Sequence, residues 1–175
     1  MLARRDDQVW RPFEPVACTH DPAHIPLSKN SMRITGSCHC GNLSFVLDWR
    51  GDADAIPARA CTCSFCRKHG AVWTADPAAT LEVQVRDAAA HSTYRFETAT
   101  ADFHVCARCG AVPLVTSDIE GRVHAVVNVN AFDDVDPSRL RRSEVSFDGE
   151  ETGSRLARRQ RGWIGQVRFA PADRT

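Results

Sequence analysis

The sequence predicts a mainly β domain, in which short antiparallel strands are joined by connections that carry metal-binding cysteines. Two observations predict the strands: several segments alternate apolar and polar side chains with a period of two, and helical periodicity is scarce. A third observation predicts the metal sites, because seven of the eight cysteines fall into three short clusters. With 175 residues and 43% hydrophobic content, the chain is long enough to bury a core.

Residues 1–31 are interpreted as an irregular N-terminal extension. Proline recurs in this segment, at positions 12, 15, 22 and 26, too often for a helix or a central strand. The segment also lacks the apolar stretch of a secretory signal, so we expect a cytoplasmic protein whose thiols stay reduced. It contains three residues that can bind metals, Cys18, His20 and His24.

Residues 32–150 are predicted to form the β domain. Leu43–Trp49 alternates apolar and polar residues, which is the pattern of a strand with one buried face. Residues 81–85 alternate in the same way, and residues 93–97 are predicted as a further short strand. Residues 123–129 are rich in β-branched side chains and are predicted as a more fully buried strand. Turn signals separate these segments at residues 50–52, 76–77 and 120–121.

Two short helical turns are predicted between the strands, one from Cys63 to His69 and one near residues 137–142. Residues 151–175 are interpreted as an Arg-rich C-terminal tail that is solvated, with Trp163 and Ile164 packing it back onto the domain. The arginines of this stretch are Arg155, Arg158, Arg159 and Arg161.

A basic patch for nucleic acid or a protein partner is the alternative interpretation of this tail. The formal net charge of the chain is zero, and no aromatic residues are interleaved with the arginines for base stacking. No apolar run reaches the length that spans a bilayer. We therefore expect neither nucleic acid nor a membrane as a partner.

Two of the cysteine clusters are pairs followed by glycine. Cys38 and Cys40 precede Gly41, and Cys106 and Cys109 precede Gly110, so that the chain can turn left-handed after each pair. Together the pairs supply the four thiolates of a closed structural zinc site. Disulfides are the competing interpretation, but a bridge within Cys-x-Cys strains the preferred disulfide geometry.

The third cluster, Cys61, Cys63 and Cys66, has an odd number of thiols. Three protein ligands with an open fourth position are typical of a reactive zinc, and the open position can hold water or a thiol. The sequence does not determine how the clusters pair. A closed site completed by Cys18, His20 or His69 remains an alternative, as does a redox group of thiols without metal.

Other polar residues near the clusters are weaker candidates. Arg67 and Lys68 follow the third cluster directly, where they can offset thiolate charge or bind an anionic substrate. His39 and His104 are interpreted as core or supporting residues rather than as ligands. Trp73 and Phe65 are expected in the core by default.

At these cysteines the sequence resembles a known family. Segments 36–41, 61–68 and 106–110, read with residues 94–96 and 147–149, are similar to the glutathione-dependent formaldehyde-activating enzyme family, which includes the centromere protein V domain. The order and spacing match over residues 32–150. The resemblance implies a folded β-tent with two zinc sites.

The resemblance also implies a role for each cysteine. Cys38, Cys40, Cys106 and Cys109 are expected to be structural zinc ligands. Cys61, Cys63 and Cys66 are expected to form the catalytic site, with glutathione at the open position and Arg67 or Lys68 on a glutathione carboxylate.

The family activity is that of a carbon–sulfur lyase, which forms S-hydroxymethylglutathione from glutathione and formaldehyde. The expected partners are therefore a small thiol and a small aldehyde. The rival hypothesis is a non-catalytic zinc module that mediates a protein interaction or buffers metal, since no general base is identifiable in the sequence.

Overall fold

A computed structural model of the protein describes residues 31–170. The predicted N-terminal extension, with Cys18, His20 and His24, lies outside the described residues. Two helices are present in the described part, α1 (Ser64–His69) and α2 (Thr152–Gly162). The strands are β1 (Met32–Ser37), β2 (Leu43–Trp49), β3 (Ile56–Cys61), β4 (Val72–Thr74), β5 (Thr80–Val85), β6 (His91–Tyr94), β7 (Asp102–Cys106), β8 (Leu114–Ile119), β9 (Arg122–Asn128), β10 (Leu140–Val145) and β11 (Gln166–Ala170).

The strands form two sheets. The first has four strands in the order β1-β2-β5-β11, and the second has seven in the order β10-β3-β4-β9-β8-β7-β6. The prediction of a mainly β fold is therefore confirmed. The alternating segment Leu43–Trp49 is β2, in which every second side chain is buried, as expected for a strand with one face on the core.

The prediction of purely antiparallel strands is wrong at two positions. β10 pairs with β3 in parallel, and β11 pairs with β5 in parallel, so both sheets are mixed. Parallel neighbours need a long connection between them, and both pairs are far apart in the chain. Alternation of side chains cannot reveal the difference, because its period is two in either orientation.

The interpretation of residues 151–175 as a solvated tail is also wrong where the structure describes them. Residues 152–162 form α2, and the strand after it joins the first sheet. Arg159 is buried, and Ile164 is fully buried in an isolated bridge to Ala125 of β9. The predicted packing of Trp163 and Ile164 onto the domain is confirmed, since both belong to the main apolar cluster.

The two sheets enclose that main cluster. Leu47 and Leu81 of the first sheet belong to it together with Leu114 and Val127 of the second. β1 is tightly packed at Gly36, where an added Cβ would lie 2.7 Å from the carbonyl oxygen of Ala131 and closer still to the Phe45 ring. Only glycine leaves room for this contact.

A smaller apolar cluster lies at one end of the sheets. It contains Leu43 together with Cys38 and Cys106, so it joins the end of β1 to the end of β7. Among the described residues, no helix has the length and apolar character needed to cross a bilayer.

Candidate functional site

The first thiol group brings together Cys38, Cys40, Cys106 and Cys109. Its four sulfurs lie within 4.8 Å of one another. The Cys40 and Cys106 sulfurs are 3.5 Å apart, and those of Cys38 and Cys40 are 3.7 Å apart. Tetrahedral zinc with ordinary Zn–S bonds holds its sulfurs about 3.8 Å apart. The group therefore has the donor set and the spacing of a closed zinc site.

Tight turns place these four thiols. Gly41 and Gly110 have φ of +70° and +74°, in the left-handed region predicted for both glycines. The amide of Gly41 donates to the Cys38 carbonyl at 2.8 Å, and the amide of Gly110 donates to the Cys106 carbonyl at 2.8 Å. The amide of Leu43 donates to the Cys38 sulfur at 3.2 Å, which orients this ligand atom.

The thiols of this group differ in acidity. Burial raises the pKa of Cys38 to about 11. Burial acts in the same direction on Cys109, but hydrogen bonds from the backbone amides of Ala111 and Cys40 outweigh it and lower the pKa of Cys109 to about 6. Cys109 thus supplies a thiolate more readily than Cys38 does.

The second thiol group contains Cys61, Cys63 and Cys66, whose sulfurs also lie within 4.8 Å of one another. Cys61 ends β3, and Cys63 directly precedes α1. Cys66 lies inside α1 and is buried, and its sulfur accepts a hydrogen bond from the Trp73 indole N–H at 3.2 Å. One strand end and one short helix are therefore enough to assemble this group.

Two members of the second group, Cys61 and Cys66, are hydrogen-bonded to each other. A hydrogen bond from the Cys66 thiol lowers the pKa of Cys61 to about 6. The same hydrogen bond, followed by burial, raises the pKa of Cys66. This is the arrangement of a thiolate stabilised by a neighbouring thiol, and a metal ion binds the thiolate form.

A fourth protein ligand is absent from the second group within the part of the chain that the structure describes. His69, which the sequence allows as a fourth ligand, is exposed and stacks on Phe65 with ring centroids 4.4 Å apart. Cys18 and His20, which the sequence also allows in this role, lie outside the described residues. The second group therefore has three thiol donors where the first has four.

The three thiols line a cavity of about 100 Å³ between the second sheet and α2. The wall is mostly apolar. Its aromatic and aliphatic members are Trp73, Phe96, Ala101, Phe103, Val115, Val126, Val145, Phe147 and Trp163.

The charged side chains of the cavity were not identified by sequence reasoning. Arg67 and Lys68 are exposed on α1 and are not among the cavity-lining residues. The cations that line it are instead Arg59, Arg155, Arg158 and Arg159, and the carboxylates are Glu97 and Asp148. The sequence does contain a pattern that could have predicted the helix that carries three of these arginines. Arg155, Arg158 and Arg159 have the i, i+3, i+4 spacing that places side chains on one face of a helix.

Among residues 31–170, the histidines considered from the sequence belong to neither thiol group. His39 is exposed. His104 is buried, and its ring nitrogens bond to His91 at 2.9 Å and to the Thr116 hydroxyl at 2.8 Å. His104 therefore lies in the core, as interpreted, whereas His39 does not.

Comparisons with known proteins point to one family. None of the curated proteins matches the chain. A crystal structure of a Rhodobacter sphaeroides protein is similar, with 32% sequence identity and a TM-score of 0.45 over 59% of this chain and 91% of that one. The family model described as "Glutathione-dependent formaldehyde-activating enzyme" matches residues 33–147, a segment that contains all seven clustered cysteines. The chain therefore belongs to the glutathione-dependent formaldehyde-activating enzyme family.

Proposed function

We propose that the protein adds a small thiol, glutathione or a close relative, to formaldehyde or another small aldehyde. The observation that carries the proposal is the second thiol group, which has three ligands and lines a cavity. A catalytic zinc site keeps one position open for a substrate, whereas a structural site is closed by four protein ligands. Membership of the family supports the same substrates and a reaction of the carbon–sulfur lyase type.

Both thiol groups suit zinc. Soft thiolates in a tetrahedral arrangement favour Zn²⁺ over hard cations such as Mg²⁺. We assign a structural zinc to Cys38, Cys40, Cys106 and Cys109, and a catalytic zinc to Cys61, Cys63 and Cys66. When bound at the second group, zinc lowers the pKa of a coordinated thiol and keeps it deprotonated at neutral pH. In this proposal the two metals complete the β-tent that the family resemblance implies.

The proposed reaction is a simple addition. The thiolate sulfur of the substrate forms a bond to the carbonyl carbon, the π electrons of the carbonyl move to its oxygen, and that oxygen takes a proton from solvent. The product of RSH and CH₂O is RS–CH₂–OH, so atoms and charge balance. The chemical requirement is a thiolate held beside the aldehyde.

The protein side chains have three tasks in this scheme. Cys61, Cys63 and Cys66 would hold the metal, which would supply a position for the substrate thiol. The Trp73 N–H fixes the Cys66 sulfur, so the position of the open site is constrained. The apolar wall limits water near the aldehyde, which otherwise competes as a nucleophile.

A calorimetric titration of glutathione into the zinc-loaded protein tests the proposal. We expect saturable binding that disappears when a chelator removes the metal. In Cys63→Ser, which removes one of the three ligands, binding should likewise disappear while the circular dichroism spectrum is retained. The matched control is Ser64→Ala, because Ser64 is the exposed neighbour of Cys63 and belongs to neither thiol group.

Product formation separates the enzyme from a non-catalytic zinc module. With ¹³C-formaldehyde, the NMR signal of the S-hydroxymethyl carbon should appear faster in the presence of the protein than without it. Unchanged glutathione affinity in Cys63→Ser would refute the zinc–thiolate mechanism. Binding without any acceleration would instead favour a module that binds metal and thiol only.

A further inference from the structure

We propose that Arg59 and Arg159 form an anion subsite in the cavity beside Cys61, Cys63 and Cys66, and that this subsite binds a carboxylate group of the thiol substrate. The inference rests on the proposed function and narrows its substrate class to thiols that carry a carboxylate. It also gives a role to α2, which lies beyond the segment matched by the family model.

Arg159 is a buried cation that has only neutral hydrogen-bond partners. The residue is 8% exposed. Its Nη1 donates to the Thr100 carbonyl at 3.0 Å, to the Thr100 hydroxyl at 2.8 Å and to the Ser117 hydroxyl at 3.3 Å. Its Nε is buried without any hydrogen-bond partner in the described structure. Burying a guanidinium with unused donors is costly unless an anion compensates it.

Arg159 stays charged despite its burial. Desolvation, followed by repulsion from Arg155 and Arg158, lowers the pKa of Arg159 to about 10, which is still well above neutral pH. The side chain therefore presents a positive charge to any molecule that enters the cavity under physiological conditions.

Arg59 is the second cavity cation without a counter-ion. It is half-buried on β3, and its side chain makes no hydrogen bond or ion pair with any of residues 31–170 that the structure describes. It lies two positions before Cys61, so both side chains are on the same face of the strand. The two Cα atoms are about 7 Å apart at the ordinary rise of a strand.

The other two cavity arginines are already neutralised. Arg158 makes a bidentate ion pair with Glu150, with Nε 2.8 Å and Nη2 2.7 Å from its carboxylate oxygens. Arg155 forms ion pairs with two carboxylates: its Nη1 lies 3.0 Å from Oε2 of Glu97, and its Nε lies 3.7 Å from Oε2 of Glu150. Asp148, the other carboxylate that lines the cavity, forms no ion pair in the described part of the chain. The cavity cations that make no ion pair within the described residues are thus Arg59 and Arg159.

The short distance between Arg59 and the thiols of the second group suits a substrate in which only a few bonds separate a thiol from a carboxylate. In a cysteine derivative only three carbons link the sulfur to the carboxylate oxygens. With its sulfur at the second thiol group, such a molecule extends toward Arg59 over the distance of two strand residues. Guanidinium groups bind carboxylates through paired, charge-assisted hydrogen bonds, which supplies the recognition.

The test compares N-acetylcysteine with its amide, because the two thiols differ in the carboxylate alone. Calorimetry on the full-length zinc-loaded protein should show N-acetylcysteine binding at least about tenfold more tightly than the amide. Arg159→Gln and Arg59→Gln should each remove most of this preference. Arg161→Gln is the matched control and should keep it, since Arg161 is exposed on the same helix and does not line the cavity.

A second pair of probes separates this inference from the proposed function. N-acetyl-S-methylcysteine and its amide have no thiol, so their binding does not depend on the metal-bound sulfur. A preference for the acid that is lost in Arg59→Gln supports the subsite even if no thiol binds. Arg59→Gln also serves if Arg159→Gln does not fold, because the Arg59 side chain, unlike that of Arg159, makes no hydrogen bond within residues 31–170 that the fold could lose.

Three results would overturn the inference. The first is equal affinity of acid and amide in both pairs of probes. The second is a preference that persists in Arg59→Gln and in a folded Arg159→Gln. The third is a preference lost in Arg67→Gln or Lys68→Gln instead, which would place the carboxylate at the residues that the sequence alone predicts.

Discussion

Trp73 shows how one side chain can serve both the core and the candidate site. It is only 7% exposed and packs in the main apolar cluster, as a core residue does. Its indole N–H nevertheless donates a hydrogen bond to the Cys66 sulfur, with a nitrogen–sulfur distance of 3.2 Å. Donors of this kind orient a metal ligand and stabilise its negative charge, and their loss usually weakens metal binding about 10–100-fold.

Trp73→Phe tests this contact at the residue scale. Phenylalanine keeps an aromatic ring in the core but cannot donate to Cys66, so we expect zinc affinity at the second thiol group to fall by about tenfold. Competition with a calibrated chelator measures the affinity of each site. Trp163→Phe is the control, because Trp163 also lines the cavity but makes no hydrogen bond to a cysteine sulfur within residues 31–170. Equal effects of the two substitutions would show that the N–H of Trp73 has no special role.

At the scale of single elements, Glu150 pairs with two arginines of α2, the helix that begins two residues after it. The carboxylate of Glu150 accepts two hydrogen bonds from Arg158 and lies near Arg155. The hydrogen bond from Arg158 lowers the pKa of Glu150 in the folded protein. A group with a depressed folded pKa contributes stability above its unfolded pKa and loses it as the pH falls through the folded value.

Glu150→Gln should therefore destabilise the protein at neutral pH, by roughly 1 kcal/mol because the ion pair is partly exposed. The difference in the free energy of unfolding between wild type and variant should shrink as the pH falls below about 4.3, the ordinary pKa of glutamate. Urea denaturation at several pH values measures it. If the difference in the free energy of unfolding were as large at pH 3 as at pH 7, it would not come from an ionic contribution of Glu150. Glu151→Gln, one residue along the chain, is a suitable comparison, because Glu151 is exposed and forms no ion pair within the described residues; its carboxylate accepts a hydrogen bond from the Gly153 amide.

The sequence predicted the elements that short-range patterns define, but not those that depend on contacts between distant segments. The alternation of apolar and polar residues predicted β2, and the segment from Cys63 to His69 predicted α1. Both predictions use residues that are close together in the sequence. The position of β11 beside β5 depends on pairing between residues 166–170 and 80–84, which no local pattern encodes. The arginines of the stretch before it looked solvated for the same reason.

The candidate site follows the same rule. The seven cysteines fall into the two groups that the family resemblance implies. Thiol spacing within each cluster is a local signal, whereas the pairing of the two clusters that form the first thiol group, which are 66 positions apart, is not. Arg67 and Lys68 are adjacent to Cys66 in sequence, yet they lie on the outer side of α1. Arg159 reaches the cavity from a helix some ninety positions further along the chain, so only the tertiary structure reveals it.

At the scale of the whole molecule, the two thiol groups link very different parts of the fold. Cys38 and Cys40 follow β1 of the first sheet, and Cys106 ends β7 of the second. A metal at this group ties both sheets together and connects residues that are 66 positions apart. Cys61, Cys63 and Cys66 lie within six residues of a single sheet and its adjoining helix, so a metal there restrains little of the chain.

Loss of the two metals should therefore affect stability unequally. We expect two zinc ions per wild-type chain by elemental analysis and one in each of the variants Cys106→Ser and Cys63→Ser. Cys106→Ser should lower the free energy of unfolding by more than about 4 kcal/mol, because metal binding at the first group is part of the folding energy. Cys63→Ser should cost no more than about 2 kcal/mol, within the range of ordinary substitutions. Urea denaturation with and without a strong chelator measures both values. If the two variants lost the same stability, the first group would not be the link between the sheets. If Cys63→Ser unfolded the protein, the second group would be structural, and the proposed open site would have to be abandoned.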